Sequence, residues 1–484
     1  MTDEGGDPIV GATVLVEGTT LGTQTDMDGR FRIANVPSSA QTLRVSYVGM
    51  TSQTVKIVPG EIKVVLRTDS EVLDEVVVTA MGISRSEKSL GYSATQVGAA
   101  EIERAQTTNV MSALQGKVAG LQVTTMGASP GSANNVQIRG IGSVSGSNQP
   151  LYVVDGVPLE TKTYSASGQN LATGGVGNIA PDDIASVTVL KGAAATALYG
   201  SRASNGVIII TTKSGGENGD GKNFQVTYSG NVEASRVGYL PEMQNSWGQG
   251  WNGNQTYIEN GSWGPALNGS IQPYGPVYNG QQLVAPFSAV KDNVRDFFDT
   301  GISQTHNVAL SGTSKDKTMT YYASYSYTGQ DGVMPTDHDS YNRNTIALRG
   351  SFQPKKWFKL SSAMSFAKYT TKSVGSYQGT SVIDGIYELP RNISTSYMKD
   401  LDNHFNTPAA YFTPYGITNP YWALANNKLE IGGKQVYGKM QLDLYPTKGL
   451  TVTYRFGFDY TDYDNKQGYP QISLSDDLVD QNYG

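Results

Sequence analysis

The sequence has 484 residues and no cysteine, so disulfides, thiol catalysis and thiolate-ligated zinc sites are excluded. Histidine is almost as scarce, with three copies far apart at His306, His338 and His404. A zinc site needs ligands at short, regular intervals, and no pair of these histidines has such a spacing. We therefore expect no enzyme activity, no metal and no cofactor.

Charge and long apolar runs are scarce as well. Only 16% of the residues are charged, the formal net charge is −6, and the lysines and arginines are scattered, which disfavours binding of nucleic acid. The strongest apolar run, residues 207–210, is far too short for a membrane helix. The first residues lack the basic and apolar regions of a signal peptide, so we expect that an exported protein has been trimmed or mis-started at this end.

Glycine and tyrosine are abundant, with 56 and 29 copies, which is typical of many short strands joined by turns. Short alternating runs at 12–16, 31–33, 42–47, 54–57 and 62–66 predict a small β-sandwich over residues 1–67. Within this region Asp26 to Gly29 favours a tight turn. The alternative is a calcium loop, but the remaining ligands of such a loop are missing.

The next two regions differ in pattern. Residues 68–90 form a linker whose β-branched run, residues 73–80, has no partner strand nearby in the sequence. Residues 91–215 predict a compact α+β domain. Its helices are expected at 100–105 and 109–114, and its strands at 136–139, 151–154, 187–190 and 206–213.

Residues 216–484 alternate between apolar and polar side chains over seven segments of about ten residues, a length that crosses a bilayer as a tilted strand. The segments are 224–236, 306–312, 318–328, 345–352, 358–368, 436–445 and 450–461. The connections alternate between short turns (313–317, 353–357 and 446–449) and long loops (238–304, 329–344 and 369–434).

This alternation of connections is typical of an outer-membrane β-barrel with short periplasmic turns and long outer loops. A soluble β-sandwich is the alternative, since its strands also alternate. An open sheet of seven strands would leave backbone groups unpaired in lipid. We therefore expect an incomplete barrel, the N-terminal fragment of a longer one.

Three motifs resemble a known family. The run VTVLKGAAATALYGSRASNGVIIITTK at 187–213 resembles the plug-domain signature of the SusC-like (SusC/RagA type) TonB-dependent outer-membrane transporters, as do QIRG at 137–140 and YVVDGVP at 152–158. Residues 1–67 resemble the carboxypeptidase-regulatory-like β-sandwich that precedes the plug in this family, through GATV, TDMDGRF and VSYVG. The resemblance covers the whole chain and about half of a family member.

The resemblance implies a mainly β protein with an N-terminal β-sandwich, an α+β plug domain and the first strands of an incomplete transmembrane antiparallel β-barrel. It implies import of oligosaccharides or peptides across the Gram-negative outer membrane, chiefly in Bacteroidetes. The implied partners are TonB with ExbB and ExbD, a SusD-like lipoprotein lid and outer-membrane lipids. The implied domains are residues 1–67, the linker 68–90 with a TonB box, the plug 91–215 and the partial barrel 216–484.

The resemblance also assigns site residues. A β-branched run before the plug suits strand addition to the edge of a TonB sheet; the alternative is an apolar linker or a last strand of the sandwich. This TonB box comprises Asp74, Glu75, Val76, Val77, Val78, Thr79 and Ala80. The plug signature comprises Arg139, Gly140, Asp155, Gly156, Lys191, Gly192, Tyr199, Gly200, Arg202, Asn205 and Gly206, of which Arg139, Asp155, Lys191 and Arg202 are candidates for polar contacts with the barrel wall or for structural pairing.

A Gly- and Asn-rich loop supplies the candidate substrate-binding residues, whose flat rings could stack on sugars or grip a peptide. They are Trp247, Trp251, Tyr257 and Trp263. The alternative is that these rings pack the loop or contact the lid protein. A second functional class, a non-transporting surface adhesin or glycan-binding protein, would not need a TonB box paired with a plug.

Overall fold

The structure is a computed structural model that divides into two compact units, Met1–Val77 with Ser84–Gly91, and Val78–Ile83 with Tyr92–Gly484. It describes residues 1–3, 7–37, 40–47, 50–58, 60–66, 76–78, 84–86, 94–127, 129–144, 147–160, 163–166, 169–173, 175–192, 197, 199–215, 224–374, 381–412 and 418–468. No helix in these described ranges is long and apolar enough to cross a membrane.

The first unit contains one antiparallel sheet in the order β2-β1-β3-β4. Alternate residues of the central strands, among them Val14, Val16 and Val45, are fully buried and form its core. The period of two that predicted these strands therefore also defines their buried face. The strands are β1 (Thr13–Val16), β2 (Gly22–Gln24), β3 (Thr42–Tyr47) and β4 (Met50–Lys56).

The segments that pack against this sheet, where a β-sandwich would have its second sheet, are less regular than the sequence predicts. Residues 31–33 and 62–66 are not strands, although their apolar side chains pack on the core of the sheet. Thr2 holds the second of these segments by two backbone hydrogen bonds, to Val64 and from Leu66. The predicted turn at Asp26 is present, because its carboxylate accepts hydrogen bonds from the amides of Asp28 and Arg30.

The second unit begins with a domain that we call the mixed-sheet domain, residues 94–215. Its five-stranded sheet has the order β11-β10-β15-β14-β7, in which only β10 and β15 are parallel. Residues 207–210 are buried because they lie in the middle of this sheet. The strands are β7 (Ala94–Gly98), β10 (Leu151–Val154), β11 (Val157–Leu159), β14 (Ile184–Leu190) and β15 (Val207–Thr212).

Short elements complete the mixed-sheet domain. Two helices, α1 (Ala99–Arg104) and α2 (Val110–Ala113), follow β7, and the side chain of Asn109 caps α2. Two hairpins are formed by β8 (Leu121–Thr125) with β9 (Asn134–Ile138), and by β12 (Thr163–Ala166) with β13 (Gln169–Thr173). The 3-10 helices are Gly175–Asn178, Pro181–Asp183 and Gly200–Ala203. A further strand pair, β5 (Val76–Val78) with β6 (Ser84–Ser86), precedes the domain.

The remaining strands form one antiparallel seven-stranded sheet, which we call the wall, in the order β16-β19-β20-β21-β22-β23-β24. All seven predicted segments are confirmed, and most of the strands are longer than predicted. They are β16 (Gln225–Ser235), β19 (Gly301–Thr313), β20 (Met319–Asp331), β21 (Ser340–Lys355), β22 (Phe358–Ser373), β23 (Lys428–Thr447) and β24 (Leu450–Gly468).

The connections of the wall alternate as predicted. The turn between β21 and β22 has two residues, whereas the loop between β22 and β23 spans 54 residues, 374–427. The long loops contain the hairpin β17 (Ile271–Tyr278) and β18 (Gln281–Pro286), helices α3 (Val382–Tyr387) and α4 (Pro420–Asn426), and the 3-10 helices Arg295–Phe297, Thr395–Met398 and His404–Asn406. All long loops therefore leave the same end of the wall, which we call its outer end.

The two faces of the wall have reversed polarity. Tyr325, Leu348 and Phe456 of the apolar face are 47%, 48% and 58% exposed, whereas Ser326 and Thr345 of the polar face are almost fully buried. The mixed-sheet domain covers this polar face, as the contacts described below show. Apolar side chains that point away from the covered face are expected of strands surrounded by lipid.

Candidate functional site: the seam between the mixed-sheet domain and the wall

Most signature residues form turns of the mixed-sheet domain. Arg139 and Gly140 follow β9 with φ angles of +60° and +87°. The amide of Arg139 donates to the carbonyl of Gly120, and Lys191 Nζ donates to Thr95 Oγ1 at 3.2 Å. Burial, and then the nearby Arg139, lower the pKa of Lys191. These two cations therefore lie close together within the domain.

Asp155 joins two strands of the five-stranded sheet. Its carboxylate accepts hydrogen bonds from the amide of Thr212 at 3.0 Å and from the Thr212 hydroxyl at 2.6 Å. The adjacent Gly156 has a φ of +85°, and a Cβ atom there would collide with the guanidinium of Arg455 on β24. Asp155 thus pairs inside the domain, while Gly156 lets the wall approach closely.

The rest of the signature lies between β14 and β15. Gly192 and Gly200 adopt left-handed conformations, Tyr199 precedes a 3-10 helix, and Arg202 in that helix is exposed. Asn205 Nδ2 donates to the carbonyl of Ser147 at 2.7 Å. A Cβ atom on Gly206 would lie 2.8 Å from Ile138 and 3.0 Å from the Leu190 carbonyl. This part of the signature shapes the chain reversal between the two strands.

The deepest contact between the mixed-sheet domain and the wall is a buried acid–base cluster. The hydroxyl of Tyr322 donates to Asp183 Oδ1 at 2.7 Å, and Arg349 Nη2 lies 3.6 Å from Asp183 Oδ2. The Arg349 guanidinium also lies 5.0 Å from the centre of the Tyr322 ring. Asp183 is 1% and Arg349 is 7% exposed, so each charge depends on the other for compensation.

A second arginine holds two loops of the mixed-sheet domain. Arg343, which is 1% exposed, donates to the carbonyls of Gly177 at 2.8 Å and Thr108 at 3.1 Å. Gln330 Nε2 adds a bond of 3.3 Å to the hydroxyl of Thr108, and its Oε1 accepts from the amide of Gly131. The wall therefore binds these loops mainly through hydrogen bonds to their backbone atoms.

A chain of amide and carboxylate groups forms a third contact. Asn178 Nδ2 donates to Gln435 Oε1 at 2.8 Å, and Gln435 Nε2 donates to Asp459 Oδ1 at 2.9 Å. The other oxygen of Asp459 accepts from the amide of Glu160 at 3.2 Å. The chain begins and ends on the mixed-sheet domain, so it links two parts of that domain through β23 and β24.

Sequence reasoning missed these wall contacts. The residues that bridge to the wall include Asp183, Asn178 and Thr108, none of which belongs to the signature. A usable signal was the presence of Arg343 and Arg349 on the polar face of a strand, where a charge needs a buried partner. Among the described residues, no group of three acidic or histidine side chains is placed to hold a metal.

Two cavities lie along the seam. The larger, of about 780 Å³, lies between α1 and the strands β16, β19 and β20. The smaller, of about 320 Å³, lies nearer the outer end of the wall, beside α2 and the β8–β9 turn. Hydroxyl and amide groups line both, so the cavities suit water and polar solutes.

The predicted aromatic residues lie in the loop between β16 and β17. Trp251 and Trp263 are 52% and 70% exposed, with ring centres 6.3 Å apart and planes at 80°. Trp247 and Tyr257 are about half exposed. The fully buried Gln249 supports this loop, since its Nε2 donates to the carbonyls of Tyr257 and Glu259. The structure thus holds exposed rings on an ordered backbone.

The predicted TonB box is described only in part. Val76–Val78 forms strand β5, whereas Asp74, Glu75, Thr79 and Ala80 lie outside the described residues. The partner of β5 is the three-residue strand β6. The extended conformation that strand addition requires is present at the three valines.

Comparisons with known proteins match the N-terminal region and the mixed-sheet domain to two known domain families. Residues 86–207 match the TonB-dependent receptor plug domain, and residues 1–78 match the CarboxypepD_reg-like domain. The TonB-dependent receptor SusC of Bacteroides thetaiotaomicron is 33% identical over 352 residues, which is 72% of this chain and 31% of SusC. The receptor P39 of Formosa agariphila is 31% identical over 98% of this chain and 41% of its own length.

A solved structure shows the same fold. The structure of the RagAB peptide importer in its open-open state gives a TM-score of 0.60 at 23% identity, covering 83% of this chain and 44% of the matched chain. This likeness shows the fold, and the two domain matches together with the SusC relative define the chain as a receptor of the TonB-dependent class.

Within that class, the chain belongs to the SusC-like TonB-dependent receptors, and its mixed-sheet domain is their plug. Its homologues are receptors of the outer membrane and not enzymes, as the sequence predicts. The chain spans less than half the length of these curated relatives.

Proposed function

We propose that the protein imports oligosaccharides, or peptides, across the outer membrane, driven by TonB with ExbB and ExbD. The observation that carries this proposal is the reversed polarity of the wall: its polar face is covered by the mixed-sheet domain, and its apolar face is free to contact lipid. An adhesin needs neither a polar lumen nor a domain that fills it. A transporter needs both.

The coupling step is assigned to β5. An extended run of three valines can add to the edge of a TonB sheet, so that main-chain hydrogen bonds carry the pulling force. A proline at the middle position removes one of these donors. The energy-coupling site therefore lies on the backbone of Val77 and its neighbours.

The test is binding of the purified TonB C-terminal domain to the protein in detergent. We expect Val77→Pro to abolish binding, and Val58→Pro, at an exposed position without regular structure, to retain it. Resistance of the mixed-sheet domain to protease verifies that each variant is folded. Equal binding by the two variants would contradict the role of β5 and favour an adhesin.

The substrate and the lid partner are assigned to the outer loops. Trp251 and Trp263 present two perpendicular rings, which suits contact with the apolar faces of sugar rings or with peptide side chains. A SusD-like lipoprotein would close over the same end of the wall. Titration of the protein with oligosaccharides and with peptides, comparing Trp263→Ala with the buried-core control Phe297→Leu, identifies the substrate class.

Loss of binding in Trp263→Ala alone would support the aromatic contact. Unchanged binding in that variant would assign the ring to the lid surface instead. Co-purification of a lipoprotein with the wild type but not with Trp263→Ala would identify that second role directly.

A further inference from the structure

The two cavities of the seam lie on one continuous polar stripe of the wall. Alternate residues of β16 face the mixed-sheet domain, and they line first the larger and then the smaller cavity. Gln225, Thr227, Ser229 and Asn231 line the larger cavity, and Glu233 and Ser235 line the smaller.

The neighbouring strands repeat this arrangement. On β19, Thr305 lines the larger cavity and Ser303 lines the smaller one. On β20, Thr328 lines the larger cavity and Gln330 lines the smaller one. The smaller cavity thus lies toward the outer end of the wall, and we call it the outer chamber. The larger is the inner chamber. Both chambers are half-open clefts, and each has room for many water molecules, which occupy about 30 Å³ apiece.

One loop of the mixed-sheet domain separates the chambers. Gln106 and Thr107 line the inner chamber, whereas Thr108 and Asn109 line the outer chamber. This loop, residues 106–109, connects α1 with α2, and the two chambers share no lining residue. It therefore lies across the path that the polar stripe follows.

We propose that hydrophilic, hydroxyl-rich solutes cross along this stripe of β16, β19 and β20, and that the loop 106–109 is the gate between the outer and inner chambers. This inference rests on the proposed import function and names the route and its control point. The linings suit an uncharged chain of hydroxyl groups, because most lining side chains are hydroxyls and amides that both donate and accept hydrogen bonds.

The wall holds two residues of the gate by hydrogen bonds. Gln330 and Arg343 bind the side chain and the carbonyl of Thr108, and Asn231 Nδ2 lies 3.5 Å from the carbonyl of Gln106. Gln106 also adopts a φ of +47°, which costs conformational energy in a residue other than glycine. Inside the mixed-sheet domain, the Thr107 hydroxyl donates to the carbonyl of Asn109, and the Asn109 side chain caps α2. The bonds to the wall are therefore the ones that must break before the loop can move away from the stripe.

The absence of cysteine permits a direct test of this gate. We would introduce Glu233→Cys in the outer chamber or Ser311→Cys in the inner chamber, and add a charged methanethiosulfonate reagent to intact, porin-deficient cells. The same measurement is then made with Gln330→Leu, which removes the hydrogen bonds of Gln330 to the Thr108 hydroxyl and the Gly131 amide. Gln441→Leu is the matched control, since Gln441 makes comparable bonds to Asp443 and Arg455 elsewhere on the wall.

We expect Glu233→Cys to react about tenfold faster than Ser311→Cys. Gln330→Leu should accelerate Ser311→Cys about tenfold, which corresponds to about 1.4 kcal/mol and to the loss of one or two hydrogen bonds. Thr108→Val, which removes the hydroxyl partner, should change the rate in the same direction. Gln441→Leu should leave it unchanged.

Two results would overturn the gate. One is equal labelling of the two cysteines in the otherwise unaltered protein; the other is no acceleration by either gate variant. The measurement requires neither TonB nor substrate, so its failure is distinct from failure of TonB binding, which would contradict the import function itself.

Discussion

Asp183, Tyr322 and Arg349 should act as one unit that fixes the mixed-sheet domain to the wall. Arg349→Met leaves Asp183 buried with a single hydrogen bond, from the Tyr322 hydroxyl. Removing one partner of a buried ion pair typically costs about 3–5 kcal/mol. Asp183→Asn leaves the arginine uncompensated and should cost a similar amount.

The double variant Asp183→Asn with Arg349→Met is the informative one. It leaves no unpaired charge, so we expect it to be more stable than the sum of the single changes by about 2 kcal/mol. Arg236→Met is the control, since Arg236 is exposed and its replacement should change stability by less than about 0.5 kcal/mol.

The assay is urea-induced release of the mixed-sheet domain, followed by hydrogen exchange in peptides from residues 184–213. With a urea dependence of about 2 kcal/mol per molar, a loss of 3 kcal/mol shifts the midpoint down by about 1.5 M. Strictly additive effects in the double variant would refute the coupling. A shift of the midpoint in Arg236→Met equal to that in Arg349→Met would show that the loss of any positive charge on or beside the wall has this effect.

Three further predictions concern single positions. Gly206→Ala should destabilise the mixed-sheet domain by more than about 1 kcal/mol in the same urea assay, because φ is +92° and the new methyl group meets Ile138; Gly238→Ala, with open space around it, should not. Asp155→Ala should cost about 1–3 kcal/mol, since it leaves the Thr212 amide and hydroxyl without this partner, and Asp155→Asn should recover part of the loss. Burial raises the pKa of the Asp339 carboxyl to about 7, whereas its value in the unfolded chain is near 3.8. Between these two values the unfolded form binds fewer protons, so the stability of the loop that contains Asp339 should fall as the pH rises from about 4 to 7. Asp339→Asn should abolish this dependence, measured by hydrogen exchange of the Met334 amide, and a pH dependence that persists in the variant would contradict the prediction.

The seven wall strands could be predicted because side chains in a strand alternate with a period of two, whatever lies on either side. Their full length could not. β23 begins at Lys428, eight residues before the predicted segment, because Gly432 and Gly433 interrupt the alternation. A Cβ atom on Gly433 would collide with the ring of Tyr369, and one on Gly432 with the carboxylate of Asp464. These glycines serve packing between strands, which a pattern along the chain does not contain.

The sequence indicates that Arg349 needs a buried partner, but it does not identify Asp183 as that partner. Asp183 and Arg349 are separated by 166 residues and lie in regions with different patterns. The signature residues were conspicuous because they repeat a family motif, yet Asp155 and Gly206 stabilise turns inside the mixed-sheet domain. The wall contacts instead come from an ordinary Pro-Asp-Asp turn and from backbone carbonyls, which carry no distinctive sequence signal.

The chemistry of the seam decides what a pull on the mixed-sheet domain would cost. Among the residues that the structure describes, the apolar core of the domain contains a single wall residue, Tyr437, and is otherwise built from the domain's own side chains. The contacts that join the domain to the wall are mostly hydrogen bonds, and water can replace each at a net cost of about 0.5–1.5 kcal/mol. A force applied at one end would break these hydrogen bonds one after another. The apolar core would not be exposed in a single step, because it lies inside the domain. The exception is Asp183 with Arg349, whose charges require each other until water enters, so this cluster should be the last wall contact to break and should set the force at which the domain moves.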